Sequence, residues 1–463
     1  MRAIDLLSLG TALVTVAFGG VPFELRGQEP AREIELRLEQ AEAQAIRGNG
    51  VLAAAEARAR GASEQARAAR AFRWPGVEAS AGFVRTDDPV GVFGTKLRQE
   101  RFGEADFAIP SLNAPSAVSD WTAGLGAVWG VADPARWAEG RAAEAGARAA
   151  DAQRARTAEG VVLGTRLIYL GAFAARGARE ALVAEVDAAR ETEDRVTRRV
   201  AEGLATDADR LRATAAVADA QARLRIAEAE YADAVGDLAV QLGWGADSVP
   251  VPSPGLPTLA DRSGAAPAGG DRADLRASAA ALDAARAQAD VFAAARLPSV
   301  EAFGHLGTHA SGLTDDRAAN WTVGVQVSVP LFTGFGLTAG RAAADEEARA
   351  LEAEHRDRLL RAGAEVSAAR RGVEAAEGAR AAARSARDAS QEAARLLALR
   401  YEEGMATLAD LLRAQSQAAA FEARLVEAEA RWLMGLARLD FVLGSAPGAA
   451  SNDDSDSPQG DDR

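Results

Sequence analysis

Hydrophobic and polar residues follow two different periods along this chain. Long stretches place apolar residues three or four positions apart, and between them lie short stretches in which apolar and polar residues alternate. The first pattern is typical of amphipathic helices, and the second is typical of strands with one apolar face. The pattern therefore predicts a mixed α and β fold.

Alternation marks four predicted strands. It is clearest in residues 321–329, where one Trp and four Val occupy the odd positions and Thr, Gly, Gln and Ser occupy the even ones. The predicted strands span residues 76–84, 121–129, 299–309 and 321–329. An exposed loop is predicted across residues 85–120, because Asp, Gly, Pro and Asn are frequent there.

The long helical stretches contain an internal duplication. Residues 199–243 recur without a gap, 201 positions later, as residues 400–444, and 20 of the 45 aligned residues are identical. In each copy a Gly follows the end of one helix, and Thr and Asp open the next helix. Gly accepts the left-handed conformation after a helix, while Thr and Asp side chains satisfy free N–H groups at a helix start. Each copy is therefore predicted to form the tip of an antiparallel helical hairpin.

The duplication divides the chain into two structural repeats, residues 29–243 and 271–444. Residues 244–270 are predicted to be a Pro/Gly linker, and residues 445–463 an acidic disordered tail. Residues 1–28 are predicted to be a signal peptide, because their apolar run is shorter than the ~20 residues of a spanning helix. A short buried or interfacial helix is the alternative for that run.

Composition narrows the possible functions. The formal net charge of −14 offers no basic face to a nucleic acid, so no nucleic-acid partner is expected. The chain has no Cys, which excludes disulfides, a thiol nucleophile and a Cys metal site. Neither a phosphate-binding loop nor a Ser/His/Asp set is present, and the three His residues lack suitably spaced partners. We therefore expect no catalytic residue, no cofactor and no metal site, and the protein is not expected to be an enzyme.

The predicted strands raise the question of a membrane. Outside residues 1–28, no stretch is apolar and uncharged for long enough to cross a membrane as a helix. A part of the protein within a membrane would therefore have to use strands. Four strands are too few to close a barrel of ~8 or more, so several chains would have to share one. Tryptophans at the strand ends are typical of membrane interfaces: Trp74, Trp121, Trp129 and Trp321.

Several short motifs occur in a characteristic order along the chain. They are Asp87-Asp88-Pro89-Val90, Arg296-Leu297-Pro298, Val329-Pro330-Leu331-Phe332-Thr333-Gly334, the opening Asp271–Arg276 stretch of the second repeat, and a Gly-x-x-Thr-x-x-Asp tip in each repeat. This set, over residues 33–444, resembles the TolC-like outer-membrane efflux proteins.

The resemblance implies an architecture and a set of partners. It implies a homotrimer whose four strands per chain form a shared twelve-stranded β-barrel in outer-membrane lipid of a Gram-negative bacterium. Long antiparallel helices would continue the barrel as an α-barrel through the periplasm. The function implied is a passive channel-tunnel of a tripartite efflux or type I secretion system. A periplasmic adaptor (membrane fusion protein) and an inner-membrane transporter would open its periplasmic tip.

The resemblance also implies site residues at both hairpin tips. The adaptor-contact positions fall on Gly203, Leu204, Thr206, Gly404, Met405 and Thr407. The periplasmic aperture falls on Asp209, Asp410 and Tyr401. The carboxylates of the two aspartates, repeated in three chains, would form a ring that favours cations. Ala406 stands where some relatives have an Arg, so that family salt bridge is in question; three nearby arginines are candidates to replace it, Arg210, Arg212 and Arg413.

Two other functions fit part of the pattern. A periplasmic coiled-coil adaptor or structural protein would share the signal peptide, the Ala-rich helices and the hairpin tips. It does not account for paired alternating strands between two helical halves. The third possibility is a pore that leaks solutes without partners.

Overall fold

The computed structural model describes residues 32–245, 247–261 and 272–444, so the predicted signal peptide and acidic tail lie outside the described residues. Within these ranges the strands are β1 (Arg32–Leu36), β2 (Gly76–Thr86), β3 (Val118–Ala132), β4 (Ser248–Pro252), β5 (Ser299–Ala310) and β6 (Ala318–Ser328). The helices are α1 (Leu38–Gly48), α2 (Gly50–Arg70), α3 (Pro89–Arg98), α4 (Ile109–Asn113), α5 (Pro134–Ala201), α6 (Asp207–Gln241), α7 (Ala273–Ala294), α8 (Gly336–Glu402) and α9 (Leu408–Leu443).

Two very long helices set the length of the molecule. Helix α5 has 68 residues and α8 has 67, so each extends for about 100 Å at ~1.5 Å per residue. Helix α5 begins with Pro134 in its first turn, and the Asp133 carboxylate accepts a hydrogen bond from the Arg136 N–H. No proline interrupts either helix, and both run uninterrupted from the sheet end to a hairpin tip.

The helices pack side by side as a wall. Near the tips α5 lies between α6 and α9, and α8 packs on the other side of α9. Nearer the sheet α2 and α7 flank α5, and α8 packs on α7. The predicted hairpins are thus confirmed, and they stand in one layer four helices wide.

Four strands form one antiparallel sheet in the order β2-β3-β5-β6. The register aligns the apolar positions across all four strands, since Ala79 faces Leu125, Leu125 faces Leu306 and Leu306 faces Trp321. One face of the sheet is consequently apolar, and the other carries the Thr, Gly, His and Gln positions. Among the residues that the structure describes, no further strand lies beside the edges of this sheet, β2 and β6.

The structure adds strands that the sequence pattern misses. Strand β4 lies inside the predicted Pro/Gly linker and pairs in parallel with β1, which precedes the first helix. The prolines of β4 alternate with residues whose N–H groups face β1, and the Ser253 N–H that follows β4 donates to the Leu36 carbonyl at 3.0 Å. Pro250 and Pro252 therefore cost β4 no hydrogen bond to β1.

The predicted loop at residues 85–120 is also more ordered than its composition suggests. It contains α3, α4 and a short 3₁₀-helix at Glu104–Phe107. Pro89 in the first turn of α3 and the Asp88 carboxylate, which accepts from the Gly91 N–H at 2.7 Å, provide a helix start that a count of loop-forming residues conceals.

The prediction that no helix is apolar enough to cross a membrane is wrong for α5. This helix contains one 18-residue stretch long and apolar enough to do so, and 44% of that stretch is buried. Val161 and Tyr169 belong to a core cluster with α1 and α6, while Leu170 belongs to another with α8 and α9. The apolar stretch is therefore accounted for by contacts with neighbouring helices.

A buried charge cluster joins the N-terminal helix to both long hairpins. Arg166 on α5 donates from Nε to Glu42 Oε1 on α1 at 2.7 Å and from Nη1 to Asp440 Oδ2 on α9 at 3.0 Å. All three residues are buried. Since a charge taken out of water needs a close partner, the guanidinium fixes the positions of two carboxylates from distant parts of the chain.

We expect Arg166→Met to destabilise the folded protein by about 3–5 kcal/mol, because it leaves two carboxylates buried beside each other without their cation. The measurement is the unfolding midpoint of the detergent-solubilised protein. The matched control on the same helix is Arg154→Met, whose exposed pair with Asp151 at 2.9 Å should contribute less than about 1 kcal/mol. Equal midpoints for the two variants would contradict the role of the cluster.

Candidate functional site at the hairpin tips

The two hairpin tips have the same backbone geometry. Gly203 and Gly404 adopt φ of 74° and 76°, in the left-handed region that favours Gly. The next residue in each tip, Leu204 or Met405, donates its N–H to a carbonyl in the last turn of the helix at 2.8 Å. Each long helix therefore ends in a glycine C-cap that turns the chain back along the wall.

Thr and Asp cap the start of each returning helix. The Thr206 hydroxyl accepts from the Asp209 N–H at 3.2 Å and donates to the Asp209 carboxylate at 2.7 Å. The second tip repeats both distances with Thr407 and Asp410. Only the first tip completes a capping box, in which the Thr206 N–H also donates to Asp209 at 3.2 Å. The structure thus places these four residues together as helix caps.

The capping bonds also keep the aspartates charged. The hydroxyl of Thr206 hydrogen-bonds to Asp209 and holds the pKa of that carboxyl below its usual range, and the Thr206 N–H and the charge of Arg212 act in the same direction. The Thr407 hydroxyl, more than any other contact, likewise lowers the pKa of Asp410. Because both pKa values move down from an already acidic value, both side chains are anions at neutral pH.

Three arginines are candidates to replace the salt bridge of the family. Each of them forms an ion pair with an aspartate of its own helix. Arg210 lies 3.3 Å from Asp207, Arg212 lies 3.6 Å from Asp209, and Arg413 lies 3.3 Å from Asp410. All three pairs are exposed and three residues apart. In the protomer, therefore, none of these arginines joins one helix to another.

Two other arginines do join the helices near the tips, and the sequence pattern did not identify them. Arg195 on α5 pairs with Glu402 at the end of α8 at 2.8 Å, and Arg199 donates to the Tyr401 carbonyl at 3.0 Å. The partners are about 200 residues apart in sequence. The only local signal was the spacing of the arginines one helical turn apart, which places them on the same face of α5.

The Tyr401 side chain is a packing residue in the protomer. It is buried in a cluster with Val196, Ala213, Leu408 and Leu411, drawn from all four helices of the wall. Burial raises the pKa of its hydroxyl, against the opposing effect of the nearby Arg199 guanidinium. The tyrosine thus packs in a core that is shared by the four helix ends directly beside the tips.

The ends of the tips present apolar side chains to solvent. Leu204 is 65% exposed and Met405 is 67% exposed, and no atom lies within 4 Å of a Cβ built on Gly203 or Gly404. The two tips are therefore small, open and similar, and each has an exposed apolar side chain close to its Thr–Asp cap.

Three of the four predicted interfacial tryptophans lie at two levels of the sheet, near its two ends. The Trp129 indole donates to the Arg73 carbonyl at 3.0 Å, beside Trp74 and next to the helices. Trp121 stands eight residues, or about 26 Å, further along β3 and packs its ring against Phe83 at 4.5 Å. Trp321 lies on the same apolar face and is 71% exposed in the protomer, but the register aligns it with Leu125, midway between Trp121 and Trp129.

The histidines do not converge on one point. His309 Nδ1 lies 2.8 Å from Asp120, and His355 Nδ1 lies 2.7 Å from the Ser278 hydroxyl on α7. Among the residues of the described ranges, no group of three or more His, Asp or Glu side chains is placed to hold a metal ion. The absence of a metal site from the whole chain stays a prediction.

Comparison with known proteins shows which family has this architecture. The model of the family described as outer membrane efflux protein matches residues 41–243 and 268–445. Protein CyaE of Bordetella pertussis is 30% identical over 297 residues, which cover 59% of this chain and 61% of CyaE. The matched part thus spans about three fifths of that relative.

Solved structures share the fold. The outer membrane protein VceC of Vibrio cholerae superposes with a TM-score of 0.71 at 22% identity, over 88% of this chain and 96% of VceC. The open state of the MtrE outer membrane channel of Neisseria gonorrhoeae gives a TM-score of 0.70 at 22% identity, over 88% and 89% of the two chains. With the family match covering most of both repeats, the chain belongs to the outer membrane efflux protein family and is an outer-membrane protein of a Gram-negative bacterium.

Proposed function

We propose that three copies of this chain form a passive duct through the outer membrane. One observation carries the proposal: the four-stranded sheet has an apolar face that is exposed in the protomer and two edges that end without a partner strand. Lipid tolerates an apolar face but not unpaired edges, so β6 of each copy has to pair with β2 of the next. Three copies supply twelve strands.

The helical wall extends the duct into water. Its surfaces carry exposed ion pairs along their length, such as Arg361 with Asp357 at 2.7 Å and Arg431 with Glu427, and such surfaces do not enter a hydrocarbon layer. The wall leaves the sheet at the end marked by Trp74 and Trp129. A trimer would therefore continue its barrel as a twelve-helix tunnel that reaches about 100 Å into the periplasm.

The tips are the closed end of this tunnel and the docking point for its partners. We assign Leu204 and Met405 to contact with a periplasmic adaptor, which in turn engages an inner-membrane transporter. Asp209 and Asp410 from three copies would encircle the aperture with negative charge. The duct itself holds no energy source, so the transporter has to supply the work of efflux or secretion.

The trimer is tested by its state in membranes. We expect an outer-membrane trimer that only detergent extracts and that shifts to monomer on an SDS gel after heating, because the paired strands have to separate. A soluble periplasmic monomer would favour the coiled-coil adaptor or structural protein instead. The two outcomes separate the hypotheses without knowledge of the cargo.

Docking at the tips is tested by polar substitution. We expect the double variant Leu204→Ser and Met405→Ser to lose export, because it removes the two apolar contacts without changing the backbone of either tip. Export is measured in cells that carry the cognate adaptor and transporter. Ile226→Ser is the matched control, since Ile226 is 61% exposed on α6 and lies away from the tips. Unimpaired export by the double variant would refute the docking assignment.

The aspartate ring is tested by conductance. We expect Asp209→Asn combined with Asp410→Asn to reduce selectivity for cations and to raise the resting conductance of the purified channel, because the negative charge at both tips is removed. Asp219→Asn on α6 is the control for a general loss of charge. Unchanged selectivity and conductance in planar bilayers would remove the ring from the mechanism.

A further inference from the structure

The segment between β2 and β3 is a folded unit at the end of the sheet that is remote from the helices. Its helix α3 buries Val92 and Thr95, and the C-cap residue Gln99 continues this buried stripe at a spacing of three and four residues. Such a stripe marks a helix that packs on a surface. The proposed duct does not by itself require this unit, because a hairpin of a few residues would connect two adjacent antiparallel strands.

The unit packs on the polar face of the sheet. The Gln99 amide donates to the Ser119 carbonyl at 2.8 Å and to Asp120 Oδ1 at 2.9 Å, and Asp120 Oδ2 lies 2.8 Å from His309 Nδ1 on β5. Asp120 and His309 belong to the face opposite Trp121, because successive side chains of a strand alternate between faces. In a barrel whose apolar face meets lipid, this face is the lumen.

Internal contacts keep the unit compact. Lys96, the only lysine of the chain, lies 2.6 Å from Asp106, and that carboxylate also accepts from the Gly103 N–H at 2.9 Å. The Phe102 ring packs edge-on against Phe93 at 4.6 Å and Phe107 at 5.1 Å. The unit therefore moves as one piece, and its attachment to the sheet decides where it lies.

Its outer surface is apolar. Val90 is 81% exposed and Ile109 is 73% exposed, and Phe107 and Leu97 are exposed as well. None of these side chains belongs to the buried stripe of Val92, Thr95 and Gln99. In a shared barrel the surface available to cover them is the same unit of the two neighbouring copies.

The dimensions of the barrel agree with that arrangement. Twelve strands ~4.8 Å apart and tilted by ~40° enclose a ring about 24 Å across between backbones. Three helices of about 10 Å diameter, packed in a triangle, need a ring of about 22 Å. Three copies of α3 on the luminal face would therefore occupy most of the extracellular mouth.

We propose that residues 87–117 are an external gate, in which three copies, each held to the barrel wall by the Gln99–Asp120–His309 contacts, narrow the extracellular mouth. The gate rests on the proposed trimeric duct. It excludes large molecules from outside when the contacts are intact, and it opens when cargo pushes the unit off the wall.

The test measures how large a molecule reaches the lumen from outside. Thr322→Cys introduces the only cysteine of the chain on the polar face of β6, opposite His305 and deeper than the unit. Intact cells are treated with a small maleimide or a long polyethylene-glycol maleimide. We expect fast labelling by the small reagent and slow labelling by the long one.

Release of the unit should remove that difference. We expect Gln99→Ala or Asp120→Ala to raise the labelling rate of the long reagent about 5- to 100-fold, the range that loss of a buried hydrogen bond produces in an open–closed equilibrium. The small reagent should react at an unchanged rate. Gln326→Ala, which removes a glutamine from the same polar face away from the unit, is the control and should change neither rate.

Two outcomes overturn the gate. The first is equally rapid labelling by both reagents with the Gln99–Asp120–His309 contacts intact, and the second is slow labelling by the long reagent in both released variants. Each sample is also run unheated on an SDS gel. Loss of the trimer in all variants would refute the proposed duct itself, whereas a preserved trimer with either outcome refutes only the gate. Leu313→Cys, in the exposed connection between β5 and β6 and outside the unit, should react with both reagents in every background.

Discussion

The unpaired N–H and C=O groups along β2 and β6 are the constraint on which the rest of this structure depends. In hydrocarbon each unsatisfied group costs several kcal/mol, so a sheet with two open edges has no stable position there as a monomer. In water its exposed apolar face would be equally unfavourable. Both problems have one solution, which is to complete the sheet with identical sheets. The long helices then form a tube, because each third of the barrel carries its own wall of helices and the walls meet once the barrel closes.

The two repeats meet this constraint equally but differ elsewhere. Each contributes two strands, a long helix, a glycine C-cap and a Thr–Asp N-cap, so the shared wall has quasi-equivalent parts. Tyr401 in the second repeat is matched by Val200 in the first, and the tyrosine joins four helix ends at once. The unit between β2 and β3 has only the short connection Ser311–Arg317 as its counterpart between β5 and β6. Duplication supplied the wall, and divergence supplied the features at its two ends.

The network around Arg166 shows how far apart in sequence the stabilising partners lie. Its two carboxylates come from α1 and α9, nearly 400 residues apart. Arg195 and Arg199 likewise find their partners at the end of α8, and Gln99 finds one on β3 and, through Asp120, another on β5. None of these arginines differs in its local sequence from the many that pair three or four residues away on their own helix.

By itself, the sequence determined the elements and the tips, because helix period, strand alternation, Gly turns and Thr–Asp caps are local properties that neighbouring residues enforce. It also determined that the chain is built twice. Only the tertiary structure decided that β4 uses its prolines at harmless positions, that Asp88 and Pro89 start a helix within an apparent loop, and that α3 lies on the polar face of the sheet. These features depend on which groups meet across hundreds of residues, and such meetings leave no periodic pattern along the chain.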